Sequence, residues 1–291
     1  MQQTRFDERK AVDLASRVGG RGLAQEVEEY FERGARVKPG DVVLDVGANV
    51  GAFAAAVAAR TGSDVTIHCF EPAVPLFAKL VRSFARVDEL AATRHVLHPN
   101  AVTSPELHGT ERTFYYFKRF PTDSTYDLDR KLDDFSLYFL KHGRELERSA
   151  GRWGGPGRLL GRSVRAAVGW FCRPENPLGV WFALLVTGMK ARPCQLVSLE
   201  TVIESRGIER VDLLKVDVEG AELDVLMGCG AAWPLIRSVA IETDERGGRS
   251  GDVVALLERN GFEITSCAPP HVASRGDAKQ VIIIAERVEG R

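Results

Sequence analysis

A glycine-containing turn between an apolar run and an alanine-rich run constrains the fold of this chain more than any other feature. Residues 42–46 are almost entirely apolar, which is typical of a buried parallel strand. Residues 52–60 are rich in alanine and predict a helix. The segment that joins them, residues 45–51, reads Asp-Val-Gly-Ala-Asn-Val-Gly. Because ligands bind at the carboxyl edge of open α/β sheets, this turn is a candidate binding site.

The alternation of strand and helix recurs along the chain and predicts an α/β fold with a mostly parallel, doubly wound sheet. Helices are predicted in the charged segment 5–36, with a break at Gly19-Gly20, and at 52–60, 74–87, 196–206, 219–227 and 253–260. Strands are predicted at 42–46, 64–70, 211–217, 238–242, 262–266 and 280–285. The last two strands are expected to form an antiparallel pair at the edge of the sheet.

One segment breaks this alternation and divides the core into two parts. We expect an N-terminal helical segment at residues 1–40, a core formed by 41–125 and 196–291, and an insertion at 126–195. The insertion contains three of the four tryptophans, and its centre is basic. Apolar side chains at helical spacing predict that it forms a mainly helical lid over the site where an acceptor substrate would bind. A peripheral membrane contact and a homodimer contact through the same segment remain alternatives.

The composition argues against several classes of protein. A formal net charge of −1 argues against a surface built for nucleic acid. The five cysteines are scattered without a C-x-x-C pair, so neither a zinc site nor a disulfide framework is indicated. The N-terminus lacks the apolar core of a signal peptide, and no apolar run approaches the roughly 20 residues that span a bilayer. We therefore expect a cytoplasmic protein that binds no nucleic acid.

The residues of the glycine turn indicate what kind of ligand it binds. Gly47 permits a sharp turn, and Gly51 allows the start of the helix to approach the strand or a ligand. Asn49 occupies the position of the middle glycine of a dinucleotide-binding loop, and Asp45 would repel a diphosphate but can accept hydrogen bonds from an ammonium group. The turn therefore fits a zwitterionic ligand better than a dinucleotide, which makes a nicotinamide dehydrogenase a weaker hypothesis. An ordinary tight turn is the alternative.

An acidic residue at the end of the second predicted strand lies where nucleoside-binding α/β proteins hold a ribose. Glu71 follows the glycine turn by about 20 residues, the usual spacing of the acid that binds the ribose hydroxyls. Taken alone, it would be interpreted as an exposed loop glutamate. Together with the glycine turn, it favours ribose binding.

A cluster of charged residues lies at the predicted end of the strand at 211–217. Lys215, Asp217 and Glu219 are close together there, and Glu242 ends the next strand. Charges at the end of a buried strand are costly unless they are paired or used. The candidate general bases for a substrate that reacts through a hydroxyl are Asp217, Glu219 and Glu242. Lys215 is a candidate polar partner for them. A substrate that reacts through a carboxylate would need no base. The oxygens of the three acidic side chains could instead hold a divalent cation, but our main expectation is that the chain has no metal site.

Four segments, taken in order, resemble the FkbM family of S-adenosylmethionine-dependent methyltransferases. They are residues 45–51, 70–72, 100–102 and 214–222. The resemblance covers residues 41–125 and 196–266, and the last segment is the most specific to the family, whereas many class I methyltransferases share the glycine loop. The insertion at 126–195 departs from the family pattern, where a much shorter connection is expected.

The resemblance implies a seven-stranded Rossmann-like fold and methyl transfer from S-adenosylmethionine to an oxygen of a small molecule, sugar or lipid-like acceptor. It implies a cofactor-binding set with Glu71 on the ribose and the Asn100 turn near the adenine. The remaining members of that set are Asp45, Gly47, Ala48, Asn49, Gly51 and Ala101. The basic, apolar insertion suits a hydrophobic or acidic acceptor. The alternative is a catalytically idle adenosyl-binding module whose insertion docks a partner, and the acidic cluster argues against it.

Overall fold

The computed structural model describes residues 8–117, 125, 188–218, 220–245, 248–269 and 280–288. Its strands are β1 (Asp41–Val46), β2 (Val65–Phe70), β3 (Arg94–His98), β4 (Ala101–Val102), β5 (Glu111–Phe117), β6 (Met189–Val197), β7 (Leu213–Val216), β8 (Ser238–Asp244), β9 (Phe262–Ala268) and β10 (Gln280–Arg287). Its α-helices are α1 (Glu8–Gly19), α2 (Arg21–Glu32), α3 (Ala52–Thr61), α4 (Val74–Arg86), α5 (Asp88–Ala91), α6 (Leu199–Ser205), α7 (Glu222–Met227) and α8 (Arg249–Arg259). Short 3₁₀ helices occupy Pro105–Leu107 and Gly230–Leu235.

Seven strands form a sheet in the order β3-β2-β1-β7-β8-β10-β9. The first five strands in this order, from β3 across to β8, pair in parallel. Strand β10 is antiparallel to both of its neighbours. Strand β1 pairs with β2 on one side and with β7 on the other, so the order of the strands reverses between β1 and β7. Ligands bind at such a switch point in open α/β sheets. The predicted seven-stranded, mostly parallel sheet and its antiparallel edge pair are confirmed.

Helices cover both faces of this sheet. Since alternate residues of each strand point to opposite faces, the strands contribute to two separate cores. Val43 and Leu213 belong to a core that also contains buried residues of α1, α2 and α3. Their neighbours Leu44 and Leu214 belong to a second core with buried residues of α6, α7 and α8. The sheet is therefore doubly wound, and the helices expected before residue 40 cover one of its faces.

The local signals of the sequence explain where several helices begin and end. The predicted break at Gly19-Gly20 separates α1 from α2, and Gly20 has a φ of 84°, which favours glycine. The alanines of α3 are buried without exception, which lets this helix lie close to α1 and the sheet. Pro75 stands in the first turn of α4, where its missing N–H costs nothing.

Three predictions about local structure are wrong or incomplete. The helix expected at 196–206 begins only at Leu199, because residues 196 and 197 belong to β6, which pairs with β4; Ser198 caps the helix by accepting a hydrogen bond from Thr201 N. The helix expected at 219–227 begins at Glu222. Strand β3 and the three-stranded sheet β4-β6-β5 were not predicted from the residues.

The chain divides into two compact units, one of Met1–Arg112 with Pro193–Arg291 and one of Thr113–Arg192. Within the second unit, Tyr115 forms an antiparallel bridge with Thr125. Apart from residues 188–195, the insertion lies outside the described residues. The predicted helical lid and the alternative roles at a membrane or in a dimer concern those residues, so they stay predictions. Among the helices that the structure describes, none has the length and apolar character required to cross a membrane.

The close packing of α3 makes a stability prediction. Replacing the fully buried Ala56 with leucine inserts three carbons where the helix lies against its neighbours, so we expect a loss of about 1–3 kcal/mol in the free energy of unfolding. The exposed Ala78 of α4 is the matched control, and Ala78→Leu should change stability by less than about 0.5 kcal/mol. Urea denaturation followed by circular dichroism measures both. Equal effects of the two substitutions would contradict the packing described for α3.

Candidate active site

The glycine turn after β1 is held between β2 and the residues that follow β7. The backbone N–H groups of Gly47 and Ala48 both donate to the carbonyl of Phe70, at 3.0 Å each. Gly47 has a φ of 81°, and a Cβ built on it would lie 1.8 Å from the carbonyl oxygen of Asp217. Only glycine therefore fits at position 47. Asn49 also has a positive φ, of 52°, which asparagine tolerates better than most residues.

A buried lysine joins this turn to the acidic cluster. Lys215 Nζ lies 3.1 Å from Asp45 Oδ1 and 3.5 Å from Asp217 Oδ2, and it donates a 2.9 Å hydrogen bond to the carbonyl of Gly47. Asp45 and Lys215 are partners in the register of β1 and β7, so their side chains point to the same face of the sheet. The sequence predicted only that these residues lie near one another at the ends of their strands. The structure shows that Lys215 contacts both Asp45 and Asp217.

The charge of Lys215 is maintained by its neighbours. Burial alone would lower the pKa of this ammonium, but the carboxylates of Asp45 and Asp217 outweigh burial and raise it above its ordinary value. Lys215 is only 3% exposed, so it lies behind Asp217, whose side chain is 35% exposed. Asp217 is therefore the most exposed member of this group.

Glu242 lies two residues beyond Ala240, the register partner of Lys215, and thus on the same face of the sheet. Its Oε2 accepts a 3.1 Å hydrogen bond from the hydroxyl of Tyr30 in α2. Tyr30 is a site residue that the sequence did not reveal, since in an amphipathic helix it is interpreted as an apolar core residue.

Glu71 is buried at the end of β2 and touches the glycine turn. Its Oε2 accepts a 2.9 Å hydrogen bond from Asn49 N, and its Oε1 accepts a 2.8 Å bond from Ala73 N. Burial raises the pKa of Glu71 to about 7, although these two N–H groups and Lys215 oppose the shift. Each carboxylate oxygen has a second lone pair, so Glu71 can still accept hydrogen bonds from a ribose.

Two histidines lie behind the strand end that carries Glu71. The carbonyl of His98 accepts a 3.0 Å hydrogen bond from Glu71 N, and its ring stacks on Phe70 with centroids 4.3 Å apart. His98 Nε2 lies 3.3 Å from Nδ1 of the buried His68. Burial lowers the pKa of both imidazoles to about 4, so they are neutral at physiological pH. This pair supports the strand end rather than supplying a proton.

The remaining expected residues have separate positions. Asn100 joins β3 to β4 and donates through Nδ2 to the carbonyl of Gln195, and Ala101 pairs with Leu196. Both lie within three residues of His98 along the chain, and hence follow the strand beside Glu71. Gly51 has a φ of 93° and precedes α3; a Cβ there would lie 3.0 Å from Leu80 of α4.

Two acids after β7 differ in what can be said of them. Glu222 is buried and accepts from Gly220 N and from Arg249, so it fixes the loop after β7. Glu219, a predicted catalytic residue, lies outside the described residues. In the described part of the chain, no three His, Cys, Asp or Glu side chains are grouped so that they could hold a metal ion.

The site fits S-adenosylmethionine, the cofactor expected from the sequence. Asp45 Oδ2 is buried and accepts no hydrogen bond from any residue that the structure describes, so it offers an acceptor to an ammonium group. Because Asp45 is fully enclosed, direct contact requires a small shift of the turn above it. Glu71 supplies acceptors at the end of the adjacent strand, where the ribose of a nucleoside binds.

Comparisons with known proteins found a matching family model, related sequences and similar solved structures. A family model described as the methyltransferase FkbM domain matches residues 172–264. The 31-O-demethyl-FK506 methyltransferase FkbM of Streptomyces tacrolimicus is 32% identical over 83% of this chain and 80% of its own. The methyltransferase sdnD of Sordaria araneosa is 32% identical over 77% and 74%. A crystal structure of Aeropyrum pernix fibrillarin with natively bound S-adenosyl-L-methionine is 14% identical, covers 89% of this chain and 74% of fibrillarin, and has a TM-score of 0.43.

The buried pair of Lys215 and Asp45 makes a second stability prediction. Lys215→Met leaves the Asp45 carboxylate buried without its cation, so we expect a loss of about 3–5 kcal/mol in the free energy of unfolding. Adding Asp45→Asn should recover part of that loss, because it removes the unpaired charge. Urea denaturation measures the three proteins, with the exposed Lys79→Met as control. A Lys215→Met variant as stable as the wild type would show that the pair of Lys215 and Asp45 is not formed in solution.

Proposed function

This chain belongs to the FkbM family of S-adenosylmethionine-dependent methyltransferases, and we propose that it methylates a hydroxyl oxygen of a small molecule. The observation that carries the proposal is the position of the Asp217 carboxylate next to the glycine turn, with Glu242 on the same face of the sheet. A hydroxyl must lose its proton when its oxygen is methylated, and a carboxylate at this edge of the sheet can accept it. The similarity to the 31-O-demethyl-FK506 methyltransferase of Streptomyces tacrolimicus supports an oxygen acceptor.

Binding and alignment are the first contributions of the chain. We propose that the turn with Gly47, Ala48, Asn49 and Gly51 holds the amino-acid part of the cofactor, with Asp45 as the acceptor for its ammonium group. Glu71 binds the ribose, and the segment at Asn100 and Ala101 lies near the adenine. When bound, S-adenosylmethionine supplies a methyl group on a sulfonium sulfur. Methyl transfer is an in-line displacement, so holding both reactants in line provides much of the catalysis.

Proton transfer is the second contribution. A bound S-adenosylmethionine would supply the methyl group and keep the electrons of the broken carbon–sulfur bond, so the chain itself has to accept only the proton of the hydroxyl. The hydroxyl proton passes to Asp217, whose partial exposure allows contact with the acceptor, or to Glu242 beside it. Lys215 does not touch the acceptor; it fixes Asp217 and the carbonyl of Gly47, and so keeps the base in register with the cofactor turn. Glu219 remains a further candidate base.

A screen for methyl acceptors tests the proposal. The full-length chain is incubated with methyl-labelled S-adenosylmethionine and a panel of small molecules in matched pairs, one member with a hydroxyl and the other with a carboxylate. Products are identified by the added methyl group in mass spectrometry, and EDTA is included in a parallel set. Methylated hydroxyls support the proposal. Methylation only of carboxylates, or of nitrogen or carbon, would overturn it, and loss of product with EDTA would point to a metal.

Asp217→Asn provides a direct test of the base. The amide keeps the shape of the side chain but removes the charge that accepts the proton, so we expect turnover to fall about 100-fold or more, within the range typical of general bases. Cofactor binding measured by calorimetry should stay close to that of the wild type, and circular dichroism should show that the variant is folded. Asp224→Asn, at another acid of the same region, is the control, and it should leave turnover unchanged. Activity of Asp217→Asn within a few-fold of the wild type would exclude Asp217 as base.

The raised pKa of Glu71 predicts how cofactor affinity depends on pH. Since the charged carboxylate is the better acceptor for ribose hydroxyls, binding lowers a pKa of about 7, and affinity should rise with pH through that value. Titration calorimetry should therefore give roughly tenfold tighter binding at pH 8 than at pH 6. In Glu71→Gln, binding should be weaker and the pH dependence attributable to Glu71 should be lost. An identical pH dependence in this variant would place Glu71 outside the cofactor site.

A further inference from the structure

An aromatic hydroxyl from the N-terminal helices reaches the acidic end of the site. We propose that Tyr30 is a positioning residue for methyl transfer, which orients the carboxylate of Glu242 so that it can accept the acceptor's proton. This role rests on the proposed function, since it assumes that a proton is removed at this edge of the sheet. It would make helix α2 a working part of the active site rather than a cover for the core.

The geometry fixes the tyrosine firmly. Its hydroxyl donates to Glu242 Oε2 at 3.1 Å, and the residue is only 2% exposed. Its ring meets that of Phe53 edge-on, with centroids 5.8 Å apart, and Phe53 belongs to the helix that follows the glycine turn. A donor on a ring held in this way restricts rotation of the carboxylate that it binds.

The surroundings keep this hydroxyl protonated. Burial and the carboxylates of Asp217, Glu242 and Asp45 all raise the pKa of Tyr30 well above its ordinary value. A phenol that holds its proton can donate a hydrogen bond but cannot remove a proton from an acceptor. Tyr30 therefore acts on the reaction through Glu242. Lys215 is the cation in the same group, and its pKa in turn responds to Glu242.

Tyr30→Phe removes the donor and keeps the ring, which makes it the appropriate substitution. A hydrogen bond donated to a carboxylate favours its charged form, so its loss should move the titration of Glu242 upward by about 1–2 pH units. The control is Thr61→Val. This substitution removes another buried hydroxyl, which bonds to the carbonyls of Val57 and Ala58 within α3 rather than to the acidic group.

The first measurement needs neither cofactor nor acceptor. The full-length chain is labelled with carboxyl-¹³C glutamate, and the resonance that disappears in Glu242→Gln is assigned to Glu242. Its titration should shift upward in Tyr30→Phe and remain unchanged in Thr61→Val. An unshifted titration in Tyr30→Phe would overturn the proposal, because the contact would then not control the carboxylate in solution.

The second measurement uses a hydroxyl acceptor found in the panel. In Tyr30→Phe we expect kcat to fall about tenfold, with its acid limb displaced to higher pH and cofactor affinity retained. In the Glu242→Gln background, adding Tyr30→Phe should cost little more, since the two residues act together. Additive losses, or an unchanged kcat in the single variant, would overturn the positioning role. If the panel yields no methylated hydroxyl, the proposed function fails, and the positioning role fails with it even where the titration shifts.

Discussion

The contacts of one buried ammonium group link the two halves of the site. Lys215 Nζ contacts a carboxylate on β1, the carbonyl of the glycine turn and a carboxylate after β7. Removing an ammonium from water costs several kcal/mol, and only close, well-placed anions can offset that cost. The three contacts therefore specify one arrangement of the turn and the acid. Lys215 thereby holds the glycine turn and Asp217 at a fixed separation.

The topology explains why these groups meet at this place. Between β1 and β7 the order of the strands reverses, so the helices that follow them leave on opposite sides and open a crevice at the carboxyl edge. Since Asp45 and Lys215 are register partners, their side chains share a face, and Glu242 joins that face two residues beyond the next register position. A row of charged side chains thus crosses three neighbouring strands near their carboxyl ends.

The architecture and the cofactor turn could be predicted from the sequence because each carries a strong local signal. Apolar strands, alanine-rich helices and the glycines at 47 and 51 are readable one segment at a time. Strand β3 was missed because Arg94–His98 mixes charged and apolar residues without a clear alternation, and it becomes a strand by pairing with β2. The start of α6 was misplaced because residues 196 and 197 are apolar in either structure; pairing with β4 decides.

Tyr30 could not be predicted as a site residue, and the reason is physical. Its spacing with Val27 and Phe31 is that of an amphipathic helix, and a tyrosine ring satisfies that pattern as well as phenylalanine does. The hydroxyl becomes informative only when the fold sets α2 over the charged row. An apolar ring at this position would fill the core but could not donate the hydrogen bond that Glu242 Oε2 accepts. A tyrosine meets both demands, since its ring continues the core with Phe53 and its hydroxyl satisfies the carboxylate. The ring contact with Phe53 and the hydrogen bond to Glu242 together account for a tyrosine, rather than a phenylalanine, at position 30.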